Sequence, residues 1–142
     1  MKKIYIYIFI LGLLLVGCTK DKIVNNDISE VMDMVKIKID GYEYIINLEN
    51  NDTVDSLINM LPLKLNMEDL NNNEKYAYLD RALPTNSYNP KTINKGDVML
   101  YGSNCIVIFY KTFNTVYSYT KIGHIDNLPD FNDDDISIII EK

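Results

Sequence analysis

The sequence predicts a mainly β domain: about eight strands closed into a barrel or paired as a sandwich, with one short helix. Three observations carry this. Short segments alternate apolar and polar residues with the period of a half-buried strand. Turn-forming pairs and triplets separate them, among them Asp40-Gly41, Asn71-Asn72-Asn73 and Gly102-Ser103-Asn104. Only one segment after the amino-terminal region, around residues 53–61, repeats its apolar residues with clear helical spacing.

The elements follow in order. Val35, Ile37 and Ile39 alternate with Lys36 and Lys38, a first strand, and Asp40-Gly41 turns it into a second over 42–48. Asp52 or Thr53 is expected to cap a helix through a side-chain oxygen. Val54, Leu57, Ile58 and Leu61 form one face of it, and Pro62 ends it. Leu63, Leu65 and Met67 alternate with Lys64, Asn66 and Glu68 as the next strand. After the Asn71-Asn72-Asn73 turn, 74–79 reads as a tyrosine-rich strand. A long connection with Pro84 and Pro90 follows, over 80–95. Strands are then predicted at 98–101, 105–110, 117–125 and 136–140, with loops at 112–115 and 127–135. Antiparallel strands in this number hide their edges by closing into a barrel or pairing as a sandwich.

The first residues have a different chemistry. Lys2 and Lys3 precede an apolar stretch over 4–16, interrupted only by Gly12. It is shorter than the roughly 20 residues a membrane-spanning helix needs and has the form of a secretory signal. Leu15-Val16-Gly17-Cys18 resembles the bacterial lipobox, which implies cleavage before Cys18 and lipid on its thiol. The expected organisation is a signal peptide over 1–17, a polar tether over 18–34 and a domain over 35–142. The expected location is the cell envelope, lipid-anchored through Cys18 to a bacterial membrane, since two or three acyl chains together hold firmly.

Charge and residue types exclude several functions. The chain carries −6, and loss of Lys2 and Lys3 with the leader takes it to about −8. Nucleic acid, which selects basic patches, is not an expected partner. With Cys18 committed to lipid, Cys105 is alone, in the apolar run Cys105-Ile106-Val107-Ile108-Phe109, and reads as a buried structural thiol. His124, the only histidine, lacks a second metal-binding or nucleophilic partner and reads as a surface residue. Asp130 and Asp133-Asp134-Asp135 lack the glycine and terminal glutamate of a calcium loop and read as a solvated turn. Glu68 and Asp69 point to opposite faces of one strand. No cofactor is expected.

A longer pattern narrows the fold. Residues 61–69 (Leu61-Pro62-Leu63 through Glu68-Asp69), 73–79 (Asn73-Glu74-Lys75-Tyr76-Ala77-Tyr78-Leu79) and 83–86 (Leu83-Pro84-Thr85-Asn86) resemble the prokaryotic cyclophilin-like domain family. So do Gly96-Asp97-Val98 through Asn104-Cys105 and Tyr117-Ser118-Tyr119 through His124-Ile125. The likeness spans about residues 35–141 and implies a compact closed cyclophilin-like β-barrel with few helices. It also points to a groove on one outer face. Strand parity places Glu74, Tyr76 and Tyr78 on one side of their strand, as it does Met99 with Tyr101, and Cys105 with Val107 and Phe109. The resemblance sets Tyr101, Val107, Phe109 and Tyr119 near that groove, and with their strand neighbours the candidate ligand-binding residues are Glu74, Tyr76, Met99, Tyr101, Val107, Phe109 and Tyr119.

True cyclophilins isomerise prolyl peptides with a buried arginine aimed at the prolyl nitrogen. Their Phe-His-Arg and Phe-Met-x-Gln-Gly-Gly pattern is not present here, there is no tryptophan, and the single arginine is Arg81. No catalytic residue is therefore assigned. Three readings stay open, in this order. The first is a non-catalytic module that binds a peptide or small molecule. The second is an isomerase or other enzyme using Glu74 with tyrosines. The third is a structural protein of the envelope surface.

Overall fold

The computed structural model describes residues 34–142. The signal peptide, Cys18 and nearly all of the tether lie outside the described residues. Among the described residues, no helix is long and apolar enough to cross a membrane.

The described elements are β1 (Lys36–Ile39), β2 (Tyr42–Leu48), α1 (Asp52–Ile58), β3 (Leu63–Leu70), β4 (Glu74–Tyr78), β5 (Thr92–Ile93), β6 (Asp97–Tyr101), β7 (Cys105–Phe109), β8 (Phe113–Asn114), β9 (Thr120–Ile125) and β10 (Ile136–Glu141). Eight of the strands close a barrel in the order β1-β10-β3-β4-β7-β6-β9-β2, with β2 pairing back onto β1. Every pairing is antiparallel. Closure gives each strand two neighbours, so none presents a free edge.

Turn chemistry sets the hairpins. Asp40 and Gly41 both have positive φ, 49° and 82°, as the tight β1–β2 turn demands. Asn71 and Asn72 take the left-handed conformation in the β3–β4 turn, which asparagine tolerates better than most residues. Between β2 and β9 the strands meet closely at Gly123. A Cβ there would lie 2.5 Å from the backbone oxygen of Asn47.

Alternation then sorts the side chains. Ile37, Ile39, Leu65, Met67, Val98, Leu100, Ile106, Ile108, Ile122, Ile138 and Ile140 fill the barrel. A second buried cluster comprises Ile93, Met99, Cys105, Val107, Phe109 and Tyr119. In β6 and β7 its members have the opposite parity to the interior residues, so they belong to the outer face. Strand β7 is therefore buried on both faces.

Local details depart from the sequence-based expectation. The helix cap is Asn51, not Asp52 or Thr53. Asn51 has extended backbone and its side chain accepts from the Val54 amide at 2.9 Å. Thr53 is buried instead, its hydroxyl donating to the Pro84 carbonyl at 2.6 Å. The helix stops at Ile58, and Met60 and Leu61 continue as tight turns onto Leu57 and Ile58. β3 runs on to Leu70. The strand expected over 117–125 begins at Thr120, and Tyr119 makes an isolated bridge with Tyr88. The two expected loops, 80–95 and 112–115, each contain a two-residue strand, β5 and β8, which pair as a ribbon outside the barrel. Such short strands have too few residues to show a period. His124 is not a simple surface residue: it is only one-third exposed, and its Nδ1 lies 3.0 Å from Oδ1 of the buried Asp97.

Candidate functional site

The outward residues of β4, β7 and β6 lie in rows. Glu74 pairs with Phe109, Tyr76 with Val107 and on to Met99, and Tyr78 with Cys105 and on to Tyr101. Residues opposite one another on antiparallel strands touch side by side, so the rows form a continuous aromatic and apolar floor.

Two walls rise from it. The first is the chain from Phe113 to Tyr119. It is fixed by the Thr115 amide on the Lys91 carbonyl at 2.9 Å, by the β5–β8 ribbon and by the Tyr88–Tyr119 bridge. Phe113 packs on Phe109 with ring centroids 5.8 Å apart. Tyr119 meets Phe109 edge-on at 5.4 Å and Tyr101 at 5.6 Å, and Tyr101 meets Tyr117 edge-on at 6.2 Å. The second wall is the β3–β4 turn, with Leu70, Asn71 and Asn73. Between the walls lies a cavity of about 510 Å³, within the size range of small-molecule sites. Its rim carries Leu70, Tyr78, Tyr101, Val116 and Tyr117, all exposed large apolar or aromatic residues.

Among the described residues, Glu74 is the one charged residue lining the cavity. It is half-buried, and its carboxyl has no hydrogen-bond partner among the described residues. Burial, with the negative charge of Asp69 added, pushes its pKa up to about 7. Its charge acts on other groups in turn. Burial and then Glu74 push the Cys105 thiol up to about 11. Tyr119 is raised, mainly by burial. Tyr76 is raised because it donates to Glu68 Oε2, at 2.8 Å.

Lys75, the next residue, goes the other way. It is fully buried inside the barrel wall. Its Nζ donates to Asp69 Oδ1 at 2.8 Å and to the carbonyls of Asn132 and Asp134 at 2.6 and 2.7 Å. Tyr110 donates to the same Asp69 oxygen at 2.6 Å. Burial works against ionisation of Asp69. The hydrogen bonds from Lys75, Tyr110 and the Asn72 amide outweigh it and hold the carboxyl below its ordinary range. All three ammonium protons are used, so Lys75 anchors the β9–β10 connection and is not available to the cavity.

The family model for the cyclophilin-like family matches residues 37–141. The chain belongs to the cyclophilin-like family. Comparisons with curated proteins and with solved structures found no match.

Within this cyclophilin-like barrel, the seven residues singled out from the sequence divide in two. Glu74, Tyr76, Tyr101, Val107 and Tyr119 line the cavity together. Met99 and Phe109 do not. They have the right parity but are fully buried under Ile93, Phe113 and Tyr119, because the β5–β8 ribbon covers their end of the sheet. Sequence reasoning left out Tyr78, Val116 and Tyr117 from the site. Tyr78 shares parity with Glu74 and Tyr76, a signal that was present. Val116 and Tyr117 stand in irregular chain with none. Arg81 is exposed beyond β4 and does not line the cavity. Among the described residues no cluster of His, Cys, Asp and Glu is arranged to hold a metal.

Proposed function

We propose that this chain is a membrane-anchored lipoprotein whose cyclophilin-like barrel binds a peptide or small molecule in the β4–β7–β6 cavity without catalysing its conversion. The observation that carries the binding role is the gathering of exposed Leu70, Tyr78, Tyr101, Val116 and Tyr117 around one concave site. Contiguous exposed apolar surface at a cavity is costly to maintain and marks interaction sites. Tyrosines suit such a site because each offers an apolar face and a polar tip. The anchoring rests on the lipobox-like Leu15-Val16-Gly17-Cys18.

A thermal-shift screen of small molecules and short peptides against the full chain tests the binding role, since a ligand of the folded state raises its melting temperature. Hits are expected, and Val107→Trp, which fills the cavity floor, is expected to abolish them. A screen without hits, or hits indifferent to Val107→Trp, removes the reading. Labelled palmitate tests the anchor: incorporation is expected, and Cys18→Ala is expected to eliminate it.

Isomerisation is the second reading, and it lacks its usual electrophile here. The sole arginine is exposed and outside the cavity. A proline-peptide isomerisation assay is expected to stay at the uncatalysed rate.

A further inference from the structure

We propose that the cavity selects a ligand carrying an organic ammonium group on an apolar body, with Glu74 as its counter-charge and the surrounding tyrosines as its aromatic wall. This rests on the binding role proposed above and specifies the chemistry of that same site.

Three observations converge. The first is the unpartnered Glu74 carboxyl. It sits half-buried on the cavity side of β4 with no hydrogen bond or ion pair from any described residue, and among those residues no Lys, Arg or His lines the cavity. The adjacent lysine is turned into the barrel interior, where Asp69 and two carbonyls hold its protons.

The second is the wall. Tyr76, Tyr78, Tyr101, Tyr117 and Tyr119 surround the cavity, with Tyr76 edge-on to Tyr78 and Tyr101 in edge or tilted contact with Tyr117 and Tyr119. The negative faces of such rings attract cations, and the attraction grows when water is excluded.

The third is the consequence of filling the site. A neutral ligand deepens the desolvation that already raises the Glu74 pKa to about 7. An anionic ligand adds repulsion. An ammonium group reverses the effect, stabilising the ionised carboxyl and satisfying its oxygens. The ammonium source is either a free amine or the side chain of a lysine-bearing peptide.

The test uses the full chain and three probes with one aromatic body: phenethylamine, phenethyl alcohol and phenylacetate. Binding is measured by isothermal titration calorimetry at pH 8. The amine is expected to bind about tenfold more tightly than the alcohol, and phenylacetate more weakly than both. Glu74→Gln is expected to remove the amine's tenfold advantage over the alcohol.

Wild-type protein gives an independent measurement should that variant misfold. Between pH 8 and pH 5.5 the amine's affinity is expected to fall as Glu74 takes up a proton, while the alcohol's is expected to hold or rise. The titratable groups that feel or exert charge at Glu74 are Cys105 and Tyr119 on the cavity side and Asp69 and Tyr110 on the interior side. A capped lysine peptide as a fourth probe separates the sources. Tighter binding than phenethylamine assigns the ammonium to a peptide, and weaker binding assigns it to a free amine.

Equal affinity for amine and alcohol, or an amine affinity unmoved by Glu74→Gln, overturns the charge selection and leaves the binding role standing. Absence of binding by all four probes also overturns it, and the broader screen then decides the binding role by itself.

Discussion

Glu74 and Lys75 are neighbours of opposite charge that do not pair, because β4 sends them to opposite sides of the barrel wall. Lys75 is neutralised inside by Asp69, and Glu74 is left facing a tyrosine-lined cavity without a cation. Period-two geometry alone separates them. The electrostatic character of the cavity follows from that separation.

Glu74 makes stability depend on pH in a definite direction. Its carboxyl is raised from 4.5 to about 7 in the folded chain. Below about pH 4.5 both folded and unfolded chains hold the proton, and burial carries no penalty. As pH rises towards 7, the unfolded chain releases the proton first, so stability falls, and the loss is complete above 7. Glu74→Gln is therefore expected to match wild type near pH 4 and to exceed it at pH 8. The gain is about 1 kcal/mol once solvent screening of the part-exposed group is allowed for. Urea unfolding at the two pH values checks this. A variant no more stable than wild type at pH 8 contradicts it.

Lys75→Met is expected to destabilise the fold by about 3–5 kcal/mol, the range for a buried pair that loses one partner. It strands the Asp69 carboxylate and the carbonyls of Asn132 and Asp134. Chemical denaturation of wild type, Lys75→Met, Asp69→Leu and the double variant gives the coupling. The double variant is expected to be less destabilised than the sum of the two.

Gly123→Ala tests the closure of the barrel between β2 and β9. The added Cβ would lie 2.5 Å from the Asn47 carbonyl, a backbone atom that moves only with its strand. A loss of about 1–3 kcal/mol is expected, as for overpacking elsewhere. Unchanged stability would show that the strands part at no cost.

Cys105 is expected to react slowly although it lines the cavity. Its thiol is buried and pushed up to about 11, which leaves little thiolate at pH 7.5. Alkylation by iodoacetamide, followed on the Cys105 peptide by mass spectrometry, is expected to run about two orders of magnitude below the rate of an exposed cysteine. In urea it is expected to recover the ordinary rate.

Much of this architecture was legible in the residue order, and the reasons differ by element. The hairpins at Asp40-Gly41 and Asn71-Asn72 could be read because positive φ restricts the residues that serve there. The shared face of Glu74, Tyr76 and Tyr78 could be read because parity is local. Three features could not. The β5–β8 ribbon has two residues a strand and no period, so nothing foretold that Met99 and Phe109 would be covered. Lys75 alternates like any lysine on a solvated face, and only Asp69 together with the distant Asn132 and Asp134 carbonyls makes its burial tolerable. Asn51, Asp52 and Thr53 are all residue types that cap helices; Asn51 does so here, and the Thr53 hydroxyl is engaged by the distant Pro84 carbonyl.

The ribbon of Thr92-Ile93 and Phe113-Asn114 lies apart from the eight closed strands, yet it fixes one side of the cavity. One wall of the cavity thus stands outside the closed strands, over a floor that β4, β7 and β6 supply. Substitutions at 114–117 can therefore reshape that wall without touching a rung of the hydrogen-bonded cylinder.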